Sequence, residues 1–168
     1  MRFLNSLEQL PFSIWIRESS SLWAFPTLLV LHTIGMSIVA GLSAMLDLMV
    51  LGIGPKIPLK PFERVFPFIW AGFWINAATG TVLLLADASS KLTNWDFYVK
   101  MFFVGSGTWL LYAIRKNIFG NPDLDSGPMS SAAKKLAWAS LACWFGAIVA
   151  GRLLAYLGPV SGLTGINK

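Results

Sequence analysis

The polar positions of this chain are bunched, and the stretches between them are almost wholly apolar. Between Glu18 and Asp47 lie 28 residues without a charge. A bilayer core needs roughly 20 apolar helical residues, so this run predicts a first transmembrane helix over residues 20–51, long enough to tilt. Pro26 falls near its start, where a missing N–H matters least. A Gly- and Pro-rich stretch at 52–61 ends it. A second uncharged run, between Arg64 and Asp87, predicts a helix over 65–87. The third runs over 96–116, with Lys100 in its first turns and Arg115 and Lys116 closing it. Residues 117–131, rich in Gly, Pro and Asp, predict an exposed loop. The fourth helix spans 133–157, and beyond Lys134 and Lys135 only Arg152 interrupts its apolar run.

Ahead of the first run, residues 3–17 place Leu4, Leu7, Leu10, Ile14 and Trp15 at three- and four-residue steps. This predicts a short interfacial helix lying along the membrane, interrupted at Pro11. It does not read as a cleaved signal, because the long apolar run begins only after Glu18. The reading is all-α: one polytopic domain over 1–168, a membrane four-helix bundle with an interfacial helix. No alternating strand pattern points to a β-barrel.

Composition agrees with that class. The 168 residues are 55% hydrophobic and 12% charged, with a mean hydropathy of +0.64. Soluble domains carry about 25% charged residues, so too little polar surface exists here to cover a water-soluble globule. Disorder and nucleic-acid binding are excluded on the same ground. The net charge of +5 is spread thinly between apolar runs and forms no basic stripe. It reads as topogenic charge. The two connecting loops on one side hold seven Lys and Arg, against four on the other when Lys100 and Arg152 are counted within spans. That bias places both termini outside the cytoplasm. Cys143 is alone, so no intramolecular disulfide forms.

Few residues remain that can carry chemistry. His32 is the only histidine, about twelve residues or roughly 18 Å into the first span. Ionisable groups at that depth are costly and mark functional sites. Neutral imidazole ligates iron, copper or zinc. Gly35, one turn along the same face, leaves room for a flat ring, and Met36 adds a soft thioether. The leading reading is a haem b iron held by His32. Another metal, a proton role, or a structural histidine hydrogen-bonded across helices to a hydroxyl or Asn76 are the alternatives. Arg152 and Lys100 fall in the same half of the membrane as His32 and would neutralise haem propionates. For Lys100 alone, snorkelling to the interface competes with that role. Asp47 lies at the other end of its helix, among Lys56, Arg64, Arg115 and Lys116, where a salt bridge is expected. Small residues, including Ser37-x-x-x-Gly41, allow helices to approach closely, within the chain or in a homo-oligomer. No second histidine, Cys-x-x-Cys-His, P-loop or nucleophile–base–acid triad is present.

Three segments resemble an uncharacterised family of small bacterial four-helix membrane proteins. They are SSLWAFPTLLVLHTIGMSIVAG with DLMVLG (20–52), FIWAGFWINAATGTVLLLAD (68–87) and NWDFYVKMFFVGSGTWLL (94–111). The shared landmarks fall on Pro26, His32, Gly35, Gly41, Asp47, Thr79, Gly80, Phe97 and Lys100. A looser similarity links the chain to the membrane domain of copper-resistance protein D, which also has a His early in a glycine-rich span. The resemblance implies the fold and the bacterial inner membrane, and it supplies no reaction. The functional expectation is a small haem-b membrane protein in electron transfer or redox sensing, with a redox partner protein. A cofactor-free accessory or transport subunit handling protons or copper through His32 and Asp47 is the second reading. A purely structural membrane subunit is the third.

Overall fold

Proline and glycine punctuate the helices where the chain requires it. The computed structural model describes residues 9–19, 21, 23–54, 57–122 and 124–156, and among these there is no strand. Helix α1 (Pro11–Glu18) begins at its proline instead of being interrupted by it, since the first position of a helix needs no N–H. The expected residues 3–8 of this helix lie outside the described residues. α2 (Phe25–Leu51) carries Pro26 in its first turn and ends at Gly52, whose left-handed φ of 78° caps it. A 3-10 turn (Lys60–Val65) leads into α3 (Phe66–Ala86). A short helix absent from the sequence expectation, α4 (Ala88–Leu92), precedes α5 (Trp95–Ile114). There Asn94 accepts from the Asp96 N–H at 3.0 Å and caps the new helix. α5 continues into a wide π turn (Arg115–Phe119), and α6 (Ser131–Tyr156) closes the described chain.

Four helices, namely α2, α3 with its 3-10 lead-in, α5 with its π turn, and α6, are long and apolar enough to cross a membrane. α2 packs chiefly on α3, α5 chiefly on α6, and the α2–α6 contact joins the two pairs. Among the described residues α3 and α5 hardly touch, so the arrangement is open on that side.

The core is lopsided. Val39, Leu46 and Val50 of α2 cluster with Phe66 and Ile69 of α3, Leu111 and Ile114 of α5, and Ala137 and Trp144 of α6. All belong to the half of the helices nearest the 52–65 and 115–130 connections. Phe66 and Phe119 meet edge to face at 5.1 Å there, and the Arg115 guanidinium lies 5.6 Å over the Phe66 ring. The loop after the π turn is tied down rather than freely exposed. Asp125 accepts from the N–H groups of Leu59 (2.7 Å) and Lys60 (3.2 Å), and Lys60 Nζ donates to the Phe119 carbonyl at 2.9 Å. The other half, which holds His32, lies outside this cluster. Trp144 is buried, whereas Trp74 and Trp138 are 66% and 60% exposed.

Candidate functional site

The half-buried His32 faces α3. Its Nδ1 lies 3.0 Å from the Asn76 carbonyl oxygen and 3.2 Å from Thr79 Oγ1. A carbonyl can only accept, so Nδ1 carries the proton. The Thr79 hydroxyl donates to the Ile75 carbonyl at 2.7 Å and presents its oxygen to His32 as a second acceptor. Asn76 Nδ2 donates back to the His32 carbonyl at 2.8 Å. The neutral imidazole therefore keeps its lone pair on Nε2, which has no hydrogen-bond partner among the described residues.

Glycines decide how close this arrangement is. A Cβ on Gly80 would stand 2.9 Å from His32 Cε1, so the ring lies against the bare backbone of α3. A Cβ on Gly35 would stand 2.7 Å from the Asn76 nitrogen and 2.8 Å from the Gly72 carbonyl oxygen. The room at Gly35 is thus filled by α3, not left for a flat ring. Gly35 and Gly72 bring the two backbones together so that Asn76 reaches His32. Met36, half-buried, lies one turn beyond His32 on α2.

The cations come from the other helix pair and from α4. Lys100 of α5 runs past Gly151 of α6, its Cε 3.5 Å from the position of a Cβ there. Lys91 pairs with Asp87 at 3.8 Å and donates to the Leu83 carbonyl at 2.9 Å. Burial pushes its ammonium below the ordinary lysine range, and Asp87 opposes that shift. Arg152 follows Gly151 on α6 and is exposed.

Asp47 departs from expectation. Arg64, Arg115 and Lys116 make no ion pair with it, and Lys56 lies outside the described residues. The helix ends are held by apolar packing and by the Arg115–Phe66 contact, so Asp47 is left in the core at 1% exposure. No three His, Cys, Asp or Glu side chains come together among the described residues. A transition metal held by such side chains alone lacks a ligand set there. Haem differs, because its ring supplies four of the ligands and one histidine suffices. An apolar cavity of about 610 Å³ lies on the outer face of α2, lined by Thr33, Ser37 and Gly41 among others, and His32 does not line it.

A hydroxyl and Asn76 are the partners expected of a structural histidine, and both are present; that Asn76 offers its backbone carbonyl, and that Gly80 lies against the ring, has no signal in the sequence. The Asn76–Thr79–Gly80 spacing marks one helix face, but nothing in it names the histidine. Compared with models of known families, with curated proteins and with solved structures, the chain gives no match.

Proposed function

We propose that this chain is a four-helix bundle of the bacterial inner membrane that binds haem b through His32 Nε2 and serves electron transfer or redox sensing. The observation that carries the reading is the Nδ1 contact to the Asn76 carbonyl at 3.0 Å. Metal-ligating histidines characteristically donate their other ring N–H to a carbonyl or carboxylate, which fixes the tautomer and the ring. Two further features support it. His32 belongs to one helix pair and Lys100 to the other, so a ligand held by both lies between the pairs. That is the side where α3 and α5 hardly touch. Lys100 and Arg152 would hold the propionates, while Gly80 lets the Cε1 edge of the imidazole approach α3. Gly35 contributes by drawing Asn76 into reach, and Met36 is the soft side chain nearest along α2. A bound haem supplies a reversible one-electron couple, which a redox partner protein would use.

The rest of the reading follows from charge and packing. The excess of Lys and Arg on the loop side puts the termini in the periplasm. A second copy would cover the outer face of α2, where an added Cβ at Gly41 meets nothing within 4 Å.

The test is an absorption spectrum of the full-length protein purified from haem-replete cells, beside His32→Ala. A Soret band in the wild type and its loss in the variant are expected. A colourless wild-type protein, or a band that His32→Ala leaves intact, removes the proposal.

A further inference from the structure

A carboxylic acid stands in the densest part of this fold with no cation beside it among the described residues. Asp47 lies one turn before the end of α2, between Leu46 and Val50 of the core. Ser43 precedes it by one turn. Facing them on α6, again one turn apart, are Ser140 and Trp144, and Ser140 lies beside the Asp47 carboxyl. Six buried side-chain atoms make no hydrogen bond among the described residues, and four of them belong here: Ser43 Oγ, Asp47 Oδ2, Ser140 Oγ and Trp144 Nε1. Their residues are all within 3% of complete burial.

Such clustering calls for an occupant. Buried polar groups are nearly always paired, and a lone buried charge is costly. A serine or threonine inside a helix usually bonds back to the carbonyl one turn earlier. Thr33, Ser37, Thr81 and Thr108 do so here, at 2.7–2.9 Å. Ser43 and Ser140 do not, which leaves both oxygens unpaired, Ser140 beside Asp47 and Ser43 one turn before it on α2. Trp144 stacks its ring on Gly107 of α5, 3.2 Å from the position of a Cβ, and walls that side.

We propose that Asp47, Ser43 and Ser140 bind a sodium ion at the α2–α6 interface, in exchange for the proton that the Asp47 carboxyl carries when sodium is absent. Carboxylate and hydroxyl oxygens are hard ligands suited to such an ion. One negative charge balances one positive charge, whereas a divalent ion would leave a net charge buried. The Trp144 N–H is a donor only, so it holds a water completing the shell rather than the ion itself. The charged groups on the surrounding elements stay outside. Arg64, Arg115, Lys116, Lys134 and Lys135 are exposed, and Glu63 pairs with Lys60 at 3.4 Å. The site does not depend on haem: His32 is 15 residues away, about 22 Å along the helix.

Infrared difference spectroscopy of the full-length protein in lipid vesicles tests this, with the Asp47 signal defined as what Asp47→Asn removes. Exchange of choline for sodium is expected to shift that signal, and its shift in D2O, present without sodium, should vanish when sodium displaces the proton. Ser43→Ala and Ser140→Ala should each weaken the sodium response about tenfold, and His32→Ala should leave it unchanged. An Asp47 signal that titrates with pH but does not respond to sodium overturns the proposal. If Asp47→Asn does not fold, Ser140→Ala defines the signal instead. A carboxyl response that Ser140→Ala leaves unmoved belongs to another acid and overturns the proposal equally.

Discussion

The side chains of His32 and Asn76 each bond the other's backbone carbonyl, Nδ1 to oxygen at 3.0 Å one way and Nδ2 to oxygen at 2.8 Å the other. This reciprocal pair fixes the imidazole as the Nδ1–H tautomer. It also fastens α2 to α3 in the half that the hydrophobic core does not reach. Both effects can be measured. Nitrogen-15 NMR of His32 in the haem-free protein should report a protonated Nδ1. Thr79→Val should keep that tautomer, since the Asn76 carbonyl remains. A protonated Nε2 would remove the ligand atom and with it the case for haem.

Asn76→Ala deletes only the return bond. Side-chain hydrogen bonds between membrane helices contribute about 0.6 kcal/mol on average, and buried ones in general about 0.5–1.5. Unfolding in mixed detergent micelles should show a loss of that order. The His32 NMR signature should survive, because the carbonyl it uses belongs to the backbone.

Two glycines on α2 should respond oppositely to alanine. At Gly35 a Cβ would press on the Asn76 nitrogen at 2.7 Å, and both neighbours are backbone. Gly35→Ala must therefore part the helices, at about 1–3 kcal/mol. At Gly41 nothing in the same chain lies within 4 Å, so in a micelle-dispersed monomer Gly41→Ala should be neutral or stabilise by roughly 0.5–1 kcal/mol through helix propensity. Equal losses in an unfolding titration would show that the α2–α3 contact is not as close as these distances.

These outcomes depend on features the sequence carries unequally. The long helices are legible because uncharged runs of membrane length have few other uses. Their ends shift by a few residues where local chemistry intervenes, as where α2 starts at Phe25, with Pro26 in its first turn, and not at residue 20. The partners across helices are not legible. Every residue owns a carbonyl, so no pattern singles out that of Asn76. Gly35 and Gly80 look equally able to face a flat ring until the packing of α2 on α3 is known. Asp47 misleads most. Counting nearby Lys and Arg predicts a salt bridge, but Arg64, Arg115 and Lys116 stay exposed while α6 packs over the α2 face that holds the acid.

Asp125 supplies a contact across 66 residues of sequence that no local signal announces. Its two oxygens take the N–H groups that open the 3-10 turn, donors with no partner inside the turn itself. Asp125→Ala should cost about 1–2 kcal/mol, the range of an N-terminal cap. It should also release residues 120–130 to proteolysis, which leaves the wild-type loop comparatively resistant. Equal cleavage rates in the two proteins would show that the loop is held by something else.

Lys100 offers the sharpest separation of charge from packing. Lys100→Met keeps an unbranched stem over Gly151 and removes the ammonium. Thermal stability in detergent should change little. Haem transfer from the variant to apomyoglobin should be about tenfold faster, corresponding to the lower end, about 1.5 kcal/mol, of a charge-assisted hydrogen bond. Lys100→Arg restores the charge and should recover most of the retention. Transfer at the wild-type rate from Lys100→Met would instead assign Lys100 to the interface, as a snorkelling side chain.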